Sequence, residues 1–362
     1  MYTNSIKMNN CCEHGSDHNQ NELEKLGPYQ QFSADATWPS MLPNKWLLGN
    51  VSGIAVDKED NVWILQRPKS LTSDELLLGT AAPPVIQFGP DGRVARAWGG
   101  KSVCNKYTWP GREHSIFVDH KDFVWISGNG EYDGHILKFT QAGEFVMQIG
   151  FYGPRTSNAD ETRMASPAGL EVDPETNLLY VADGYHNHRI IVYDGETGEC
   201  KYKWGAYGNQ PIDTVTSVPL SLPSAPVIGK MPQFALAHSV RISRDGKVYV
   251  CDRLNNRIQV FSKYGKFIEE FFIRSETAGF GSISDLVFSL DDEQKFMYGV
   301  DITNCCGYKL ERSTGKILQV FGALGRYAGQ FVQPHGIAID SKENLYICEV
   351  SNGNRAQKFK LL

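Results

Sequence analysis

The chain has 362 residues, with 36 Lys and Arg against 41 Asp and Glu, for a formal net charge of −5 at pH 7. Charged residues at 21% and hydrophobic residues at 41% exclude a disordered or collagen-like chain. The pI near 6.0 gives no electrostatic reason to expect nucleic acid as a partner.

Residues 1–25 are polar throughout and offer nothing to bury, so they are expected to form a loose arm. The start of the chain has no apolar core of a secretory signal, and no stretch approaches the ~18 apolar residues of a membrane helix. The eight cysteines, including the vicinal pairs Cys11–Cys12 and Cys305–Cys306, show no CxxC spacing and no disulfide framework. These features predict a cytoplasmic protein with reduced thiols and no membrane partner.

From residue 26 onward one pattern recurs six times: a β-rich stretch, a polar turn and a second β-rich stretch. The copies are SGIAVDKEDNVWIL from Ser52, HSIFVDHKDFVWIS from His114, AGLEVDPETNLLYVAD from Ala168, HSVRISRDGKVYVCD from His238, SDLVFSLDDEQKFMYGVD from Ser284 and HGIAIDSKENLYICE from His335. Third and fourth strands follow in several copies, for example RIIVYD and CKYKWGA. Alternation such as I-x-V marks strands with two unlike faces, and Asp91-Gly92, Asp194-Gly195, Asp245-Gly246 and Thr314-Gly315 fall where hairpins must close. A repeat of about 40–50 residues built from four antiparallel strands is a propeller blade. The expected fold is therefore all-β, a single six-bladed β-propeller over residues 26–362. The sixth copy has only three strands, so a strand from residues 29–37 should close the ring.

The first residue of each inner strand reads Ser52, His114, Ala168, His238, Ser284 and His335. Histidine thus occupies blades two, four and six, about 120° apart around a channel that inner strands line. Three imidazoles converging on the axis with a position left open is the donor set of a catalytic zinc site, and other divalent transition metals accept the same ligands. His186 and His188, in the loop DGYHNHR, are expected to be solvated. The ends of the second strands lie at the same mouth and carry Arg67, Tyr185 and Arg253. Two guanidinium groups suit a carboxylate, and a tyrosine beside a cation can act as a base. Arg189, Arg257 and Arg355 recur with the repeat and are expected to pack blades.

These copies resemble NHL repeats. More narrowly, VADGYHNHRIIVYD, FALAHSVRIS, VCDRLNNRIQVF and FVQPHGIAID resemble the peptidyl-α-hydroxyglycine α-amidating lyases, the lyase half of the peptide-amidating enzymes. That resemblance, from about Val51 to Phe359, implies zinc held by His114, His238 and His335, Tyr185 as catalytic tyrosine, Arg67 as catalytic arginine and Arg253 as a further site arginine. The chain departs from the family at Gln333-Pro334-His335-Gly336. Gln333 stands where the family has Met, which alters the wall beside the metal and its contact with substrate. Gly336 replaces an Asp that helps hold a structural calcium, and puts that calcium in doubt. The family's disulfide positions fall on non-cysteine residues, including His186 and Val260. The expectation is a zinc-dependent carbon–nitrogen lyase acting on a small molecule or peptide that carries a carboxylate. Two rivals keep the fold: a zinc-dependent hydrolase or other α-hydroxy-acid lyase at the same site, and a non-catalytic NHL platform that binds protein.

Overall fold

The computed structural model describes residues 32–213 and 229–362. The expectations for residues 1–25, and with them Cys11, Cys12, His14 and His18, lie outside the described residues. Six four-stranded antiparallel sheets follow one another along the chain. Their inner strands are Asn50–Val56, Glu113–Val118, Leu170–Val172, Ala237–Ile242, Ile283–Phe288 and Pro334–Ile339. Five sheets take their strands in simple sequence order from one blade's stretch of chain. The sixth takes three strands from the C-terminal end and its fourth, Phe32–Ala34, from the N-terminal side, with Phe32 opposite Leu361. This closes the ring with a hydrogen-bonded strand, as the truncated sixth repeat requires, and it covers the edge that blade six would otherwise present.

The apolar core is divided in the same way. Buried side chains form six clusters, each shared by two neighbouring blades. Trp63 and Ile116 meet between blades one and two, and Tyr249 and Leu310 between blades four and five. Ile54 and Cys348 meet between blades one and six, where the circle closes. Alternation along each strand sends one set of side chains to each neighbour, so no blade can bury both faces alone. In blades one, two and six the inner hairpin is tied by a repeated carboxylate: Trp63 Nε1 donates to Asp57 at 2.9 Å, Trp125 Nε1 to Asp119 at 2.7 Å, and the Tyr346 hydroxyl to Asp340 at 3.0 Å. Turn glycines take left-handed backbone at Gly92, Gly246 and Gly315. In the Asp194–Cys200 turn it is Gly198, not Gly195, that does so.

The recurring arginines are clamps. Arg189 is wholly buried, its Nε donating to Asp183 at 2.9 Å and its other nitrogens to the carbonyls of Asn158 and Arg163. Arg257 repeats the arrangement on Asp252, and Arg355 on Glu349. A second-strand carboxylate thus orients a third-strand guanidinium, which in turn satisfies carbonyls of the incoming connection. Among the described residues no helix is long and apolar enough to cross a membrane, and the six cysteines there are all free.

Candidate metal centre

The site begins with a defect in strand pairing. In five inner strands the register to the second strand slips, and the skipped residues are Ser52, His114, His238, Ser284 and His335. A β-bulge leaves one residue without a cross-strand partner and re-aims its side chain. Here the bulge carries the repeat position that faces the axis. Ala168 holds that position in blade three, just before its shorter inner strand.

His114, His238 and His335 are buried, and their ligand atoms lie within 4.8 Å of one another. The three ring centres are 4.8 to 5.0 Å apart. Each imidazole is held by the blade that follows it. His114 Nδ1 donates to the carbonyl of Ala168 at 3.3 Å, His238 Nδ1 to that of Ser284 at 2.7 Å, and His335 Nδ1 to that of Ser52 at 2.8 Å. Even blades therefore supply rings, and odd blades supply, from the same repeat position, the carbonyls that orient them. A carbonyl only accepts, so the bond fixes the proton on Nδ1 and turns the Nε2 lone pair inward. Burial, aided by surrounding positive groups, pushes all three imidazoles well below their usual range, so they are neutral at pH 7. His238 Nε2 is buried without a hydrogen-bond partner among the described residues. An inward lone pair left orphaned in a set of three neutral imidazoles fits a borderline divalent ion such as Zn²⁺.

The other expected residues gather at this mouth with one exception. The Tyr185 hydroxyl donates to His114 Nε2 at 2.9 Å. Arg253 is buried, its guanidinium 6.0 Å from the Tyr185 ring centre, and its Nε has no partner among the described residues. Arg67 Nε donates to the carbonyl of Glu113 at 2.7 Å, tying blade one to the residue before His114. Burial, with a contribution from Arg112, lowers Arg67 to about 10, which leaves it charged at neutral pH. Gln333 takes left-handed backbone, and its amide oxygen accepts from Ser351 Oγ, so the side chain is engaged by the loop after the second strand of blade six.

Sequence reasoning missed Arg112. It is exposed, and its charge acts on Arg67, His114, Arg253 and His335. The buried Asp133 carboxylate pins its segment, accepting the backbone N–H of Gly111 at 2.7 Å and of Arg112 at 3.0 Å. Its place two residues before a channel histidine, at the end of the strand that faces the mouth, was the available signal. The histidines of the DGYHNHR loop are a correction to the solvated reading. His188 is buried, and His186 is half-buried with Nδ1 2.8 Å from Ser166 Oγ; burial holds it down to about 4.

The structural calcium implied by the resemblance does not fit these residues. Gly336 has no carboxylate, and the carboxylate beside it belongs to Asp285, whose Oδ2 would lie 3.7 Å from a Cβ on Gly336. That oxygen already holds Arg241 Nη2 at 2.7 Å.

Comparison with known proteins agrees with the repeat. The model of the NHL repeat matches residues 164–193 and 234–261, in blades three and four. Those two blades carry NHL repeats. It is 28% identical over 64% of its length to NHL repeat-containing protein 3 of Mus musculus, covering 57% of that protein. It is 24% identical over 93% of its length to peptidyl-glycine alpha-amidating monooxygenase B of Xenopus laevis, covering 36% of it. It is 23% identical over 93% of its length to peptidyl-alpha-hydroxyglycine alpha-amidating lyase 1 of Drosophila melanogaster, covering 61% of it. The chain thus spans between about a third and three-fifths of these relatives. Among solved structures, virginiamycin B lyase from Staphylococcus aureus shares the propeller fold, with a TM-score of 0.50 at 15% identity over 87% of each chain.

Proposed function

We propose that the chain is a metal-dependent lyase that cleaves the C–N bond of an N-acyl-α-hydroxyglycine-like hemiaminal, giving an amide and glyoxylate. The observation that carries this reading is the Tyr185 hydroxyl on Nε2 of a three-histidine cluster, with Arg253 against the same tyrosine. The likeness to proteins named as amidating lyases supports it.

His114, His238 and His335 would hold the ion, zinc by ligand type, and a divalent ion there supplies Lewis acidity toward a hydroxyl or carboxylate oxygen. With His114 Nε2 given over to the ion, Tyr185 would act as the phenolate and take the proton of the α-hydroxyl, then return it as the amide nitrogen leaves. The oxygen's electron pair forms the aldehyde C=O, the C–N bond breaks toward nitrogen, and the amide nitrogen gains one proton, so no net proton or electron is consumed. Arg67, charged and held by the Glu113 carbonyl, stabilises the oxyanion that develops beside Tyr185. Arg253, whose Nε has no partner among the described residues, holds the substrate carboxylate. The partners on this reading are small molecules or peptides ending in a carboxylate. In a reducing cytoplasm, where the free cysteines are at home, the hydroxylated substrate would be the product of an oxygenating reaction.

Glyoxylate release from a simple N-acyl-α-hydroxyglycine by the zinc-loaded protein tests the proposal. Stoichiometric amide and glyoxylate support it. Protein that carries metal at the histidines yet forms neither product refutes the lyase chemistry while leaving the metal site standing.

A further inference from the structure

Below the histidines the channel holds a second charged group. Arg241 lies on the inner strand of blade four, three residues after His238, and it shares a small cavity with the three histidines and Asp285. That cavity has about 20 Å³ of open space, room for little more than one water or ion. The guanidinium is surrounded by oxygen. Its Nη2 donates to Asp285 Oδ2 at 2.7 Å, its Nε to the carbonyl of Leu286 at 3.0 Å, and its Nη1 to the carbonyl of Val240 at 3.2 Å. Glu171 Oε2 lies 3.7 Å from Nη1. Two carboxylates and two carbonyls form the donor set of a hard divalent cation.

These oxygens come from different blades. Glu171 belongs to the inner strand of blade three, Asp285 and Leu286 to that of blade five. Asp285 Oδ2 also accepts the backbone N–H of Ile337 in blade six at 3.2 Å. Asp285 follows Ser284 as Gly336 follows His335, so the carboxylate missing from blade six is supplied by the matching position of blade five. One cation on the axis therefore links blades three to six.

We propose that this axial position is a cation site filled by the chain's own Arg241, a tethered guanidinium that takes the place of a bound divalent ion and closes the floor beneath the histidines. The wild-type chain then has no use for calcium at its axis. Removing the guanidinium leaves an oxygen-lined vacancy with uncompensated carboxylates, which a divalent ion of matching donor preference should fill. The inference does not depend on the reaction carried out at the histidines.

The test compares wild type with Arg241→Met, each with zinc loaded at the histidines, by calorimetric titration with calcium chloride and by thermal melting with and without calcium. Wild type should bind no calcium and melt at the same temperature in both conditions. Arg241→Met should melt on the order of 10 °C lower without calcium, because it strands buried charge. It should bind one calcium per chain and recover most of that loss. Adding Asp285→Asn to Arg241→Met should abolish the calcium response. One-to-one calcium binding that raises the melting temperature of wild type would overturn the proposal. A variant that is destabilised but indifferent to calcium would overturn it too, reducing Arg241 to an ordinary ion pair. If the variant is recovered folded only from calcium-supplemented medium the proposal stands; if calcium makes no difference to recovery, it fails.

Discussion

Replacing His238 by alanine probes the metal centre most directly. His238 contributes one of three inward Nε2 atoms and is anchored through Nδ1 to the Ser284 carbonyl at 2.7 Å. Four-ligand zinc sites bind with an apparent free energy of about 10–16 kcal/mol, so each ligand carries roughly 3–4 kcal/mol. Loss of one imidazole should therefore weaken zinc binding by about 10²–10³-fold. The fold should survive. The Ser284 carbonyl loses one hydrogen bond, worth about 1–2 kcal/mol, while the blade clusters that carry the core are untouched. The assay is competition against a chelating dye, with elemental analysis of the protein after dialysis and a circular dichroism melt as control. Stoichiometric zinc at wild-type affinity in His238→Ala, with the melt unchanged, would show that the three imidazoles do not share an ion. The catalytic reading would then go with it.

Tyr185→Phe should retain zinc and lose about 10²–10⁴ in kcat, the usual contribution of a positioned base, measured by glyoxylate release; full turnover removes the tyrosine from its role. Arg253→Gln should raise KM for a carboxylate-bearing substrate by about 10–100-fold with a smaller effect on its amide analogue, since a charge-assisted contact is worth about 1.5–3 kcal/mol. His186 is held down to about 4 by burial, against an ordinary value of 6.5. The unfolded chain therefore binds the extra proton first, and the stability this group contributes is complete above pH 6.5 and lost as pH falls toward 4. The melting temperature of His186→Gln should fall less steeply than wild type across that window. Arg189→Leu strands the buried Asp183 carboxylate and should cost about 3–5 kcal/mol in a denaturant titration, with a loss under 1 kcal/mol ruling out the clamp.

Much of this architecture is written in local pattern. The period of strand pairs, the hairpin turns and the three-strand sixth copy specify six blades and a borrowed strand, because each reflects nearest-neighbour physics: alternation, turn chemistry and an edge that must be covered. The placing of histidines on alternate blades was legible for the same reason, since a repeat maps sequence position onto angle around the axis. What the repeat could not show is direction. The bulges that turn Ser52, His114, His238, Ser284 and His335 to the channel depend on register between strands. The carbonyls of Ser52, Ala168 and Ser284 that set the imidazole tautomers come from the next blade, and any residue type would supply them. Gln333 stands beside a ligand in sequence, but its amide is engaged by Ser351. His186 and His188 read as loop residues, yet His186 meets Ser166 and His188, whose backbone N–H donates to Asn158 Oδ1, is buried, contacts made by segments some 20 to 30 residues away. The grouping of Arg241 with Asp285 and Glu171 lies furthest from the sequence, since it joins side chains from three blades at distances no local rule encodes. Sequence determined the ring and the identities that face its axis; closure of the ring decided which of them touch, because only there do strands far apart along the chain share one small volume of low dielectric.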